Sequence, residues 1–360
     1  MGWRNPGDTL THATATDSTA PRGPGIGRLA GLALAAALGA ALAVPAAAAG
    51  ESGAALAERP LAVRNLSPAT LLFGLPRALG AAERPGGTSA ALIVEHANNF
   101  TSGTGDDARV VFDGSTTAAS LALRGALSAR VEWGVEVPYV HHSGGFTDGF
   151  IDGFHDLFGF PDGGRSAAPR GRLDYRVDYA GEPSIVIGGS GGDLGDVRGW
   201  LGWRIADGDR QVVARAMVKA PTGSVDELSG SGGTDVSLWL ELVDRRTLSG
   251  AGIVATLMGG ATALGDGDLA RADQRDVVYV GHFGLHWPVT DRLILRGQID
   301  AHSEVIDSDV RQLAHGAVQG TLGGTLALSQ RAWLDLGVVE DLTGGSAPDV
   351  VFLLTLGVRL

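Results

Sequence analysis

The residues best suited to chemistry are His141, His142, Asp148, Asp152, His155 and Asp156. Asp152 and Asp156 stand four apart with His155 beside them, so on a helix these groups share one face and could hold Ca2+ or Zn2+. The plainer reading is the solvated half of an amphipathic helix. It is preferred, because exposed carboxylate stripes are the usual polar half of such helices. His142 is followed by Ser143, a base next to a hydroxyl, but adjacency in sequence does not place one on the other. No GxSxG elbow is present, and a non-enzyme is expected. His282 and His286 lie two positions apart along one strand face, with His302 on the next strand; they read as separate lumen-lining residues. The stretch 228–235, LSGSGGTD, is Gly-rich but lacks a Lys and a following helix, so it reads as a turn and not a phosphate cradle. No cofactor is expected.

These residues must be positioned by strands. From 129 the chain alternates: Val131, Trp133, Val135, Val137 and Tyr139 face one way, Arg130, Glu132, Gly134 and Glu136 the other. The same alternation recurs near 196–205, 210–220, 234–242, 277–287, 293–302, 317–329 and 350–360. Segments of about 9–11 residues match the length of a transmembrane β-strand. Connections alternate too. Short turns fall at 126–128, 206–209, 288–291 and 329–331, and longer loops at 141–171, 221–233, 259–274, 303–314 and 341–348. One rim of turns and one of loops is the outer-membrane pattern. The fold expected is all-β: a transmembrane antiparallel barrel of about 12–14 strands, with a short helical insert in one long loop. The higher count applies if 173–179 and 183–189 are separate strands.

Composition sets further bounds. The 360 residues carry a net charge of −12, no Cys and a single Lys, Lys219. An acidic chain without a basic run argues against nucleic acid as a partner. Residues 1–49 read as a signal peptide: Arg4, Arg22 and Arg28 precede an apolar run over 29–44 and then small residues. That run of about 16 residues is shorter than the roughly 20 a membrane helix needs. Residues 50–90 lack sustained alternation and read as an N-terminal arm, tucked into the barrel mouth, with 91–360 as the barrel.

Within the insert, Phe146, Phe150, Phe154 and Phe158 recur every fourth residue, and Asp148, Asp152 and Asp156 do the same on the opposite face. RPLAVRNLSP, LLFGLPRA, VEVPYVHHSGGFTDGFIDGFHDLFGFPDGGR, LGDVR, KAPTGSVDELSGSGGTDVSLWL and VVEDLTGGSAPDV together resemble the bacterial family called domain of unknown function 3187, over residues 59–360. That resemblance implies an outer-membrane barrel and adds no substrate. The C-terminal strand, with Val350, Phe352, Leu354, Leu356, Val358 and Leu360 on one face, is similar to the signal read by the barrel-assembly machinery.

The function expected is a passive or ligand-selective outer-membrane channel for an unknown small solute, its lumen lined by Glu132, Glu136, Arg198, Arg215, Arg296 and Asp300. Charges facing lipid would be costly, so these should face inward. The insert at 141–165, with Asp148, Asp152, His155 and Asp156, is expected to constrict the pore or to dock at the membrane interface. The alternative is a plugged structural or interaction barrel acting through its loops; a barrel hydrolase is the remaining reading.

Overall fold

A computed structural model describes residues 52–145 and 171–360. The strands are β1 (Thr88–Thr104), β2 (Ala108–Ala126), β3 (Val131–Ser143), β4 (Asp174–Tyr179), β5 (Ile185–Ile187), β6 (Gly191–Leu194), β7 (Arg198–Ala206), β8 (Arg210–Lys219), β9 (Asp235–Asp244), β10 (Val254–Ala263), β11 (Val277–Pro288), β12 (Leu293–His302), β13 (Ala317–Ala327), β14 (Ala332–Asp341) and β15 (Val350–Arg359). One short helix, α1 (Ser52–Ala57), precedes them. Twelve strands close into an antiparallel barrel: β1 to β3, then β7 to β15, with β15 pairing back onto β1 from Ser89↔Arg359 to Asn98↔Val350. Closure leaves no free edge, so the barrel strands satisfy their backbone groups among themselves.

The two segments whose status decided the strand count are strands, but not staves. β1 and β2 run 17 and 19 residues, and β4 pairs with the upper part of β2 from Asp113↔Asp174 to Ala108↔Tyr179. β5 then adds to β4, and β6 adds to the upper part of β3. The loop expected at 259–274 starts later, because β10 continues to Ala263. Gly259 and Gly260 read as breakers in the sequence. In the structure a side chain at Gly260 would overlap Trp239, its direct cross-strand partner.

Along the staves, most large apolar residues face out and most polar or charged residues face in, with Trp200, Trp239 and Trp333 among the inward apolar exceptions. Leu238 and Leu240 are 62% and 54% exposed, whereas Asp235, Ser237, Trp239 and Glu241 on the alternate positions are buried. The turns 127–130, 207–209, 289–292 and 328–331 lie on one rim together with the longer connection 245–253; the connections 220–234, 264–276, 303–316 and 342–349 lie on the other, with the short turn 105–107. At the loop rim, Phe112, Tyr175, Val177, Leu228, Leu269, Val305, Ile306 and Leu313 form one buried core with Leu71, Leu72 and Phe73 from the N-terminal segment. No helix among the described residues is long and apolar enough to cross a membrane; any crossing is made by strands.

Candidate functional site: a charged lumen filled by the N-terminal segment

Residues 52–87 run through the barrel interior in two limbs. They follow the staves because their backbone groups bond wall side chains. At the turn rim, Leu56 and Ala57 pack with Ile294, Ala327 and Trp333. The rising limb tracks β12. Arg296 donates to the carbonyls of Leu56 (2.6 Å) and Arg59. Gln298 then pairs with Leu61 in both directions, at 2.9 and 3.2 Å, and Asn65 meets His302 at 3.0 Å. A 3-10 turn, Thr70–Leu72, reverses the chain at the loop rim.

The falling limb tracks β9. Gly74 N–H donates to Asp235 at 2.7 Å, and Ser237 donates to Gly74 O at 3.0 Å. The N–H groups of Leu79 and Gly80 both donate to Glu241, at 2.5 and 3.0 Å. Those of Ala82 and Glu83 donate to Gln211 and Glu132. The limbs also hold each other: Arg77 donates to Ala62 O at 3.2 Å, and Ala81 N–H to Glu58 O at 3.0 Å. A segment with almost no regular structure thus has its backbone satisfied group by group.

The charged side chains form three clusters. In the first, Glu95 and Glu136 face Arg64 and Arg77 of the segment, at 3.1–3.7 Å, and Glu136 also meets Arg198 of the wall at 3.5 Å. In the second, Glu132 accepts from Arg215 Nε at 2.6 Å and Arg124 Nη2 at 2.8 Å, while Arg215 also pairs with Glu241. In the third, Lys219 sits between Asp196 (2.5 Å) and Asp235 (3.2 Å) and donates to Leu72 O. Each cluster mixes signs, which a buried charge requires. Near the turn rim, burial would raise the Glu83 carboxyl, but the Arg59 and Arg124 charges outweigh it and hold it below its ordinary range.

Glu132, Glu136, Arg198 and Arg215 are therefore in ion-pair clusters and not in open water, because the segment fills the space they line. Arg296 joins the base of the segment. Asp300 accepts from His282 (2.8 Å) and Gln298 (2.8 Å). Asp148, Asp152, His155 and Asp156, with the insert's proposed constriction, lie outside the described residues. His142 is buried with Nδ1 on the Thr116 hydroxyl and Nε2 on Leu228 O, so both ring nitrogens are engaged and neither faces Ser143. His141 sits on the opposite, outward face of β3. His302 is engaged with Asn65 and Ser303 and does not join His282 and His286. Arg64, Arg77, Glu95 and Arg124 were not among the expected site residues. Their signal was the recurrence of Arg in an otherwise apolar arm, and of Glu95 and Arg124 on the polar face of strands at 88–126.

Interior voids of ≈ 80, ≈ 40 and ≈ 20 Å³ remain. Each has room for only a few waters. At the turn rim a vestibule of ≈ 630 Å³ opens, lined by Glu58, Arg59, Glu83, Arg84, Arg204, Arg245 and Arg359 among others.

Among solved structures, the chain is similar to the COG4313 outer membrane channel from Pseudomonas putida F1, at 16% identity over 80% of this chain and 98% of that one, TM-score 0.49. It is also similar to the NanC porin, at 10% identity over 74% and 98%, TM-score 0.41, and to the toluene transporter TbuX of Ralstonia pickettii, at 12% identity over 82% and 91%, TM-score 0.35. No curated protein sequence matches it. A family match runs over residues 37–360, taking in both the filling segment and every stave: the chain belongs to the family described as Protein of unknown function (DUF3187).

Proposed function

We propose that this chain is an outer-membrane channel whose lumen is shut by its own N-terminal segment. The observation that carries the reading is how residues 52–87 are held. Wall side chains, including Gln211, Asp235, Glu241, Arg296 and Gln298, bond the segment's backbone. If the segment withdraws, the same groups line a polar, water-filled bore and are rehydrated. The outward belt of Leu201, Trp203, Leu238, Leu257, Phe283, Leu295 and Leu322, each more than 40% exposed, supports lipid as its surroundings. Outer-membrane lipid, and the barrel-assembly machinery acting on β15, are the partners this reading implies.

A second reading is a permanently plugged barrel acting through its loops. It is favoured by one observation: Leu71, Leu72 and Phe73 share a buried core with the loop rim, which ties the segment to a closed cap.

A disulfide tether separates the two. A Cβ at Gly74 would lie 2.9 Å from the Asp235 Cβ, closer than the roughly 3.5–4.5 Å of a relaxed disulfide, so the bond forms with a small outward shift of the segment, and the chain has no other Cys. In planar bilayers the reduced Gly74→Cys/Asp235→Cys protein should conduct in bursts. The oxidised protein should be silent, with conduction restored by reductant. Equal conduction in both forms means that the segment does not close the lumen. Silence in both, at any voltage, favours the second reading.

A further inference from the structure

The vestibule of ≈ 630 Å³ at the turn rim holds a charge imbalance. Arg59, Arg84, Arg204, Arg245 and Arg359 line it, against only three acidic side chains, Glu58, Glu83 and Asp207. Each acid already has one of these arginines: Arg59 lies 3.7 Å from Glu83, Arg204 3.1 Å from Asp207 and Arg245 2.6 Å from Glu58. Arg84 and Arg359 are left over. Among the described residues, neither side chain makes a hydrogen bond or an ion pair. The two charges repel each other, and the acids that act on Arg359 are Glu83 and Glu58, both already paired. Counting a terminal carboxylate on Leu360, which also lines the vestibule, still leaves positive charge in excess. The chain as a whole carries −12, so this pocket departs from the rest of the molecule.

The fold holds the surplus in place. Arg84 opens a β-turn over 84–87, with Pro85 at its second position, Gly86 at φ +75° and Gly87 N–H on Arg84 O at 2.8 Å, the type II pattern. Arg359 ends β15, where its N–H bonds Arg331 O at 2.7 Å. Arg84 thus belongs to the filling segment and Arg359 to the wall. A guanidinium presents a planar fork of donors that matches carboxylate or phosphate oxygens two at a time. The volume is that of a small-molecule site, and a cleft with an excess of one sign concentrates counter-ions.

We propose that the vestibule binds a small organic anion, carboxylate- or phosphate-bearing, between Arg84 and Arg359. The anion relieves their repulsion and bridges segment to wall. A ligand that needs both sides in place stabilises the docked segment by mass action. The site is complete with the lumen filled, so it does not depend on the barrel conducting.

The test is equilibrium dialysis of the full chain in detergent at low ionic strength, with radiolabelled succinate and, separately, inorganic phosphate. At least one probe should bind saturably, and the probe that binds identifies the headgroup. Hydrogen exchange over residues 80–87 should slow when that probe is present. Arg84→Gln and Arg359→Gln break no internal side-chain bond, so the barrel should fold, and each should weaken binding at least about tenfold. Arg292→Gln removes the same charge from the exposed turn at 289–292, outside the vestibule, and should leave binding unchanged. Absence of saturable binding by both probes overturns the site. So does binding that survives at full strength in Arg84→Gln or Arg359→Gln, or that falls equally in Arg292→Gln. Binding that leaves exchange over 80–87 unchanged overturns the bridge between segment and wall. A silent bilayer bears on the channel reading alone and leaves each of these outcomes as it stands.

Discussion

Gly134 and Trp200 are direct cross-strand partners, and the Trp200 indole occupies the place a Gly134 side chain would take. The relationship repeats inside the barrel at Gly357 and Trp333. Each ring covers backbone that its glycine leaves bare, which pins register. Gly134→Ala should therefore push the ring off its seat and lower unfolding free energy by about 1–3 kcal/mol in detergent–urea titration. Gly199→Ala is the control. It meets nothing nearer than Gly134 O at 3.9 Å and should be neutral. Equal effects at both positions would show that the ring is not seated on Gly134.

The two faces of the staves should respond differently to charge. Leu240→Arg and Leu295→Arg place a cation on the outward belt, where both residues are exposed. Each should disfavour assembly into liposomes by roughly 2–4 kcal/mol if it lies at mid-depth. Arg296→Leu should show no lipid penalty. It should instead free the carbonyls of Leu56 and Arg59 and speed proteolysis of the segment's base. Tolerance of Arg at both outward positions would reverse the assignment of faces.

The staves were legible in sequence because a barrel wall has two solvents, and side-chain alternation records both. Val131 to Tyr139 and Leu293 to His302 show this directly: every outward residue is apolar or small, and the inward ones are mostly polar. β10 was partly hidden, since Gly259 and Gly260 look like loop residues until they are seen paired with Leu240 and Trp239 in the ladder. The arm was legible as a non-stave segment at the barrel mouth; its course along the lumen was not. Beyond the single short helix α1, residues 58–87 have no period to read, because no sheet satisfies them; single wall residues such as Glu241 and Gln298 do. The shared contact of His282 and His286 with Thr256 was also out of reach. Two positions apart on a strand implies separation, and only the absence of a side chain at Gly284 lets the rings lean together.

Glu136 is the acid shared by Arg64, Arg77 and Arg198. In Glu136→Gln, Arg64 and Arg77 keep Glu95 as an acidic partner while Arg198 loses its ion pair, and breaking a buried pair on one side costs about 3–5 kcal/mol. Arg64 and Arg77 belong to the segment, so its docking should weaken more than the barrel itself. Limited trypsin treatment should then cut after Arg64 and Arg77 at least tenfold faster, while the barrel keeps its folded electrophoretic mobility. Unchanged cleavage at both sites would show that the cluster does not hold the segment.

Acid should loosen the segment from the turn rim. The Glu83 carboxyl is held below its ordinary value because Arg59 and Arg124 outweigh the cost of burial. A carboxylate depressed in the folded state contributes stability above its unfolded pKa and loses it as pH falls through the folded one. The contribution should thus be complete at neutral pH and fade below about pH 4.5, the ordinary range of a Glu. The bonds that weaken are local: Arg59 lies 3.7 Å from Glu83, and Ser89 donates to it at 2.8 Å. Trypsin cleavage is unsuited to that range, so exposure is best read by hydrogen exchange over residues 80–87 between pH 7 and pH 3.5. Exchange in the wild type, corrected for its intrinsic pH dependence, should rise as pH falls. Glu83→Gln should already show the raised exchange at pH 7 and a smaller further change. A wild-type profile that stays flat, or a variant that tracks it, would mean that Glu83 does not anchor the falling limb.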